Sequence, residues 1–184
     1  MTERPILMST EMVRAILEGR KTQTRRVIKP QPVKQGNLWY WKRTAWDESK
    51  VQVSDLSPLD LCSFQIGMKL WVREPYSTYP LHYKADGYEL QDGEGRWLSA
   101  IFMPQWASRI TLEIVSVRVE RVAEITQEDA IAEGAEYMPN AAPREQQLSV
   151  PQIVFAGYWD SLNAKRGYSW GSNPWCWCIE FRKT

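Results

Sequence analysis

The densest chemistry in the chain lies in Gly19-Arg20-Lys21-Thr22-Gln23-Thr24-Arg25-Arg26, where one lysine, two hydroxyls and three guanidiniums fall within eight residues. An extended backbone here sets Lys21, Gln23 and Arg25 against Thr22, Thr24 and Arg26. A bend at Gly19 brings Lys21 toward Thr24. A lysine beside a hydroxyl becomes a general base when neighbouring cations lower its pKa, and Arg25 and Arg26 supply those cations. An arginine pair also suits a phosphate or a developing oxyanion. A plainer reading competes with this one, because cations favour the end of a helix and a basic edge strand resists aggregation.

Two carboxylates are further candidates. Glu133 belongs to the acidic run Glu124, Glu128, Asp129, Glu133 and Glu136, which contains no Lys or Arg. It falls in the last turn of a predicted helix, where the dipole disfavours an anion, so it either faces solvent or has a cationic partner. Glu74 closes the apolar row Met68, Leu70 and Val72. It either meets an Arg, Lys or water at the mouth of the core or turns to solvent as Pro75 ends the strand. Cys62, Cys176, Cys178 and the lone His82 lack the paired spacing of a zinc site, so buried thiols are expected, with no metal and no cofactor. There is no glycine-rich phosphate loop, and a single histidine without a Ser or Asp pattern argues against a hydrolase triad.

The elements that must position these groups follow from periodicity. Residues 4–8 read as a strand, and Ser9 or Thr10 caps a helix of about ten residues that stops at Gly19. From Pro30 to about Phe64 the pattern is poor, apart from Val51 and Val53 as a strand fragment, and the stretch reads as a long loop or insertion packed by its own aromatics. Met68 to Glu74 is a strand, and 79–106 is hairpin material. In 109–122 the apolar phase switches from Ile110, Leu112 and Ile114 to Val115, Val117 and Val119, which predicts a bulge or bend. A second helix opens at Thr126 and ends near Gly134. Residues 137–149 read as a loop, 151–163 as a third helix, and 175–182 as a final strand. This order predicts a mixed α+β domain around a bent sheet or small barrel.

Composition narrows the function classes. The 184 residues are 43% hydrophobic and 24% charged, enough for one core and unlike disorder or a coiled coil. No apolar run reaches the roughly 20 residues of a bilayer span and no signal peptide is evident, so a cytoplasmic protein with no membrane partner is expected. The net charge of +1 conceals an asymmetry. Residues 1–43 hold ten Lys/Arg against three Asp/Glu, and the remainder 13 against 19. A basic N-terminal part points to an anionic ligand such as nucleic acid, or to an acidic partner within the chain. The ten tryptophans include Trp39, Trp41, Trp46, Trp97 and Trp106 in irregular stretches, where they either stack on bases or pack beneath loops.

Gly19-x-Lys21-x-x-Thr24-x-Arg26 resembles the signature of ASCH domains, a branch of the PUA-like superfamily. Gly67-x-x-Leu70-Trp71-Val72-Arg73-Glu74-Pro75, Ile125-Thr126-x-x-Asp129-Ala130-x-x-Glu133-Gly134 and Asn173-Pro174-Trp175 are similar to its larger, phage- and prophage-type members. The resemblance covers most of a single domain, excluding about 33–60 and 137–149, which read as insertions. It implies a small bent β-barrel with flanking helices and a cleft for RNA or modified nucleosides. It also implies an amidohydrolase of the N4-acetylcytidine deacetylase type, with Thr24 as nucleophile, Lys21 as its base and Glu133 as an acid or orienter. Arg26 would hold Glu133 or the oxyanion, and Arg25, Arg26, Trp71, Arg73 and Glu74 would contact substrate. The alternative is a non-catalytic RNA or modified-nucleotide binding module that uses the Lys21–Arg26 segment and the loop tryptophans. Arg25 stands where the family pattern has an apolar residue.

Overall fold

In the computed structural model, which describes residues 3–35, 38–42, 50–53, 59, 62–135 and 149–184, a strand, β1 (Glu3–Leu7), leads into a helix, α1 (Thr10–Leu17). Ser9 caps that helix by accepting from the Met12 amide at 3.3 Å. Gly19 ends it at φ +74°, a left-handed conformation that glycine adopts without a Cβ penalty. The chain then enters β2 (Gln23–Val27).

The poorly periodic stretch that follows contains three short strands, β3 (Val33–Gln35), β4 (Leu38–Lys42) and β5 (Lys50–Val53), paired as an antiparallel meander. The expected loop therefore carries a small sheet of its own. The strands are too short to show alternation, and Leu38-Trp39-Tyr40-Trp41 is an unbroken apolar run. Next come β6 (Lys69–Arg73) and a hairpin of β7 (Tyr76–Thr78) and β8 (Leu81–Tyr83). The rest of the expected hairpin region is turns, joined to β7 by a bridge between Tyr76 and Leu98. The chain closes with β9 (Thr111–Arg121), α2 (Gln127–Ala132), α3 (Val150–Asn163) and β10 (Trp175–Lys183). The loop expected at 137–149 lies outside the described residues, apart from Ser149 at the start of α3.

The main sheet has five strands in the order β1-β6-β9-β10-β2, with β1 and β6 parallel and the other pairs antiparallel. Pairing between β9 and β10 steps from Glu180↔Ser116 to Phe181↔Ile114, so Val115 is the extra residue of a bulge. The phase switch in the sequence marks that point. Ile114 and Val117 both reach the same core although three residues separate them, because the bulge absorbs one position.

Each face of the sheet carries a core. One holds Leu70, Val72, Leu112, Ile114, Ile179 and Phe181 against Val13 and Ile16 of α1. The other sets Cys176 and Cys178 against Val122, Ile125, Ala130, Phe155 and Trp159, so both thiols are buried.

The α+β class and the bent sheet agree with expectation, but the barrel is not closed. β1 and β2 are the two edges of the sheet and do not pair. The seam between them is crossed by one side chain: Arg26 on β2 donates from Nη2 to the Leu7 carbonyl on β1 at 2.8 Å. Closure fails here because the chain leaves β1 after Leu7 to form α1, so no strand backbone is left to face β2. Among the described residues no helix is long and apolar enough to cross a membrane.

Candidate functional site

Lys21 lies in the link between α1 and β2, where its amide and that of Arg20 both donate to the Ala15 carbonyl, at 3.0 and 2.9 Å. Its ammonium donates to the Gln23 carbonyl at 2.6 Å, to the Glu133 carbonyl at 2.8 Å and to Glu133 Oε2 at 2.8 Å. An ammonium has three donors, and all three are engaged. The Lys21 side chain is fully buried and that of Glu133 is 3% exposed. Glu133 is the C-cap of α2, so Lys21 both neutralises an anion at the negative helix end and satisfies a terminal carbonyl.

Gly134 makes this approach possible. It has φ +89°, and a Cβ there would stand 3.1 Å from Ala15 Cβ and 3.3 Å from Lys21 Cβ. Burial pushes the Lys21 pKa below its ordinary 10.5, against the charge and hydrogen bond of Glu133, while Arg26 and Arg25 push it the same way as burial.

Thr24 and Arg25 are consecutive in β2 and point to opposite faces. Thr24 stands across from Ile179; it is fully buried, and its hydroxyl has no hydrogen-bond partner among the described residues. Arg25 stands across from Cys178 and donates to Gln23 Oε1, to Glu120 Oε2 at 2.9 Å and to Asp129 Oδ2 at 2.8 Å. Its Nη1 is also 3.6 Å from Glu133 Oε1. The cation beside Glu133, besides Lys21, is therefore Arg25 and not Arg26. Adjacent residues in a strand cannot both face α2, and the register places Arg25 on that side.

Burial alone would raise the Asp129 pKa, but hydrogen bonds from Arg25 and Gln23 outweigh it and hold the carboxyl below its ordinary 3.8. A depressed folded-state pKa contributes stability above the unfolded value and loses it as pH falls through the folded value. Thermal unfolding followed from pH 5 down to pH 2 is thus expected to show wild type losing stability below pH 3.8. Asp129→Asn should lose less over the same interval; parallel curves would remove Asp129 from the acid response.

The seam opens into a cleft of about 570 Å³ between the ends of β1 and β2, with α3 on its far side. Leu7 and Met8 come from the β1 end, Arg25, Arg26 and Lys29 from β2 and its continuation, and Ala100 and Ile101 from the turn after Ser99. Phe155, Tyr158, Trp159 and Arg166 come from α3 and the turn after it, and Glu133 lies at the floor. A smaller apolar pocket of about 250 Å³ shares Met12, Glu133, Phe155 and Tyr158 with it.

The cations of the cleft differ in how they are balanced. Arg25 is neutralised by Glu120 and Asp129. Arg26 donates only to the carbonyls of Arg25 and Leu7 and to Met8 Sδ, with no carboxylate in salt-bridge range among the described residues. Burial pushes its pKa down, opposed by Glu133 and Tyr158. Lys29 lies 5.0 Å from the Tyr168 ring centroid, and Arg166 is exposed. Among the described lining residues the cations Arg25, Arg26, Lys29 and Arg166 outnumber the one anion, Glu133.

No family model matches the chain, and no curated protein matches it. Solved structures similar to it include protein EF3133 from Enterococcus faecalis V583, described under the family model DUF984. That structure is 10% identical with a TM-score of 0.47, aligned over 100% of this chain and 77% of its own. Another is an ASCH domain from Lactobacillus crispatus JV V101, 12% identical with a TM-score of 0.45, over 99% of this chain and 79% of its own.

The structure brings Lys21, Arg25 and Glu133 together and buries Thr24 on the opposite face of β2 from Arg25, while Arg26 faces the cleft. Lys21, Thr24, Trp71, Arg73 and Glu74 do not line it. Trp71 is mostly buried under the Arg73 guanidinium, 4.8 Å from its ring centroid. Glu74 is buried and held by Arg109 through two hydrogen bonds of 2.9 and 3.1 Å, with Asp86 on the same guanidinium. Burial raises the Glu74 pKa in spite of Arg109.

Of the loop tryptophans, Trp39 packs edge-on against Trp175 at 4.9 Å and Trp106 is exposed, while Trp46 lies outside the described residues. Sequence reasoning missed Tyr158, Lys29 and Arg166 as cleft residues. Tyr158 hides within the apolar face of α3, yet its hydroxyl reaches Ser9 Oγ at 3.0 Å across the cleft wall. A hydroxyl on an otherwise apolar helix face is the signal that would have marked it.

Proposed function

We propose that the seam cleft binds a nucleotide unit, free or within RNA, in a module of the ASCH kind. The observation that carries this reading is Arg26, a cation facing the cleft with no carboxylate in salt-bridge range among the described residues, with Lys29 and Arg166 on the same cleft and aromatic rings opposite. A guanidinium so placed favours a phosphate, and Phe155 and Tyr158 offer apolar surface to a base. The volume suits a small ligand. Titration of cytidine 5′-monophosphate against cytidine tests it. The phosphate is expected to add about tenfold in affinity, and monophosphate binding should weaken with rising salt. Absence of monophosphate binding at low salt would sink the reading.

A second reading is hydrolysis of an N-acylated pyrimidine nucleoside such as N4-acetylcytidine. It is favoured by the Thr24 hydroxyl, which is buried, has no hydrogen-bond partner among the described residues and stands three residues after Lys21 in the chain; against it, neither Thr24 nor Lys21 lines the cleft. In this reading Thr24 Oγ1 attacks the acyl carbonyl and cytidine leaves; water then releases acetate from the ester. It ranks second because Lys21 has no free lone pair while its ammonium donates three times. Thr24→Val keeps the packing and removes only the hydroxyl. The reading requires acetate release by wild type and at least a hundredfold loss in this variant; turnover that survives the substitution, or none in wild type, ends it.

A further inference from the structure

The turns that carry Ile101 into the cleft continue past it and present two large aromatics to solvent. Ile101 is 56% exposed, Phe102 70% and Trp106 72%. They stand on two successive 3-10 turns, Ala100–Phe102 and Gln105–Ala107. These turns are fixed to the body of the protein: Met103 and Ala107 are buried against Tyr76, the Tyr76 hydroxyl donates to the Phe102 carbonyl at 3.0 Å, and the Tyr83 hydroxyl donates to the Ala107 carbonyl at 2.9 Å. Met103 and Ala107 take the core positions while Phe102 and Trp106 are left outside, an exposure of aromatic area that burial of apolar surface disfavours.

The direction of the turns is set by β1. Ile101 shares the cleft with Leu7 at one end of the strand, and Gln105 donates to Glu3 Oε2 at 2.6 Å at the other. At about 3.3 Å per residue, the four steps between them span about 13 Å, room for several nucleotides at about 3.4 Å per stacked step. Arg73 pairs with Leu7 on the same sheet face, and its guanidinium has no hydrogen bond or ion pair among the described residues. The path from the cleft thus has a cation beside it and rigid rings along it.

We propose that Phe102 and Trp106 form a stacking platform for nucleotides flanking the one in the cleft, so that the ligand is a single-stranded nucleic acid rather than a free nucleotide. This rests on the cleft reading above. Exposed rings on a fixed backbone stack on unpaired bases of any sequence and lose little conformational freedom on binding. Continuity with the positive cleft and the cation at Arg73 favour a polyanion over a protein partner.

The test compares cytidine monophosphate with hexacytidylate on wild type, on Phe102→Ala/Trp106→Ala and on Arg73→Ala. Wild type is expected to bind the hexamer at least tenfold more tightly than the monomer. The double variant should lose that advantage with monomer affinity unchanged, and Arg73→Ala should lower hexamer affinity several-fold. Both platform residues are exposed, so the double variant folds. Equal affinity of wild type for the monomer and both hexamers, ribo and deoxy, overturns the platform and leaves the cleft reading standing. So does a double variant that binds the hexamer as wild type does, or a wild-type dimer in sedimentation that the double variant abolishes. The deoxy hexamer distinguishes DNA from RNA as the source of the strand, and the platform requires at least one of the two hexamers to bind tenfold more tightly than the monomer. Failure of both cytidylates to bind overturns the cleft reading and the platform together.

Discussion

Lys21→Ala is expected to lower the stability of the protein by about 3–5 kcal/mol, the cost typical of removing one partner from a buried ion pair. The substitution leaves the Glu133 carboxylate, 3% exposed, with Arg25 at 3.6 Å as its remaining partner in salt-bridge range among the described residues. It also strands the Gln23 and Glu133 carbonyls that accept from Nζ. At roughly 2–4 °C per kcal/mol for a domain of this size, the fall in Tm is about 10 °C. Lys21→Met keeps the aliphatic stem and should lose most of the same stability, which assigns the effect to charge rather than volume. Lys21→Met/Glu133→Leu should regain much of it, because replacing both partners removes the uncompensated charge. Urea unfolding of the four proteins reads this directly. A loss below about 1 kcal/mol for Lys21→Ala would instead mark the pair as equivalent to a surface salt bridge. The consequence for function is practical: inactivity of a Lys21 variant reports folding before chemistry, and Thr24→Val is the cleaner probe of catalysis.

The same pair shows what could be read without coordinates. An anion at the end of a predicted helix either faces solvent or takes a cation, and of the two the structure has the cation, Lys21, reaching Glu133 from the basic segment across more than a hundred residues. The switch of apolar phase at Ile114 and Val115 located the bulge for the same kind of reason, since side-chain alternation is a local property. The distinction between Arg25 and Arg26 was out of reach. Alternation says that they face opposite ways, but only the pairing of β2 with β10 and β9 decides which of them meets Glu120 and Asp129. The open seam was hidden for a related reason. Whether a bent sheet closes depends on where two edge strands end relative to each other, and no window of sequence contains both. Trp106 shows the limit from the other side. Its exposure follows from Met103 and Ala107 occupying the core, a choice made by the shape of the cavity beneath the turns.

Arg26→Ala is expected to weaken binding of cytidine monophosphate by about 10- to 100-fold, the range for a charge-assisted hydrogen bond to an anion. The two arginines differ in the partners each already holds. Arg25 is fully buried with two carboxylates on its Nη2, so it belongs to the packing between β2 and α2 and has little left for a ligand. Arg26 touches two carbonyls and a thioether, so a phosphate gains an uncompensated charge without first breaking an ion pair. Stability should fall by no more than about 1 kcal/mol in Arg26→Ala, the worth of the bond to the Leu7 carbonyl. The slope of log affinity against log salt should shrink by about one for the oligonucleotide. Arg26→Lys restores the charge but not the two-pronged donor, and should recover only part of the affinity. Isothermal titration with the monophosphate and with the oligonucleotide at two salt concentrations measures the affinities and the slope, and urea unfolding measures the stability. If Arg26→Ala binds the monophosphate as wild type does, the anion sits elsewhere, and Lys29 and Arg166 at the outer part of the cleft are the remaining cations to hold it.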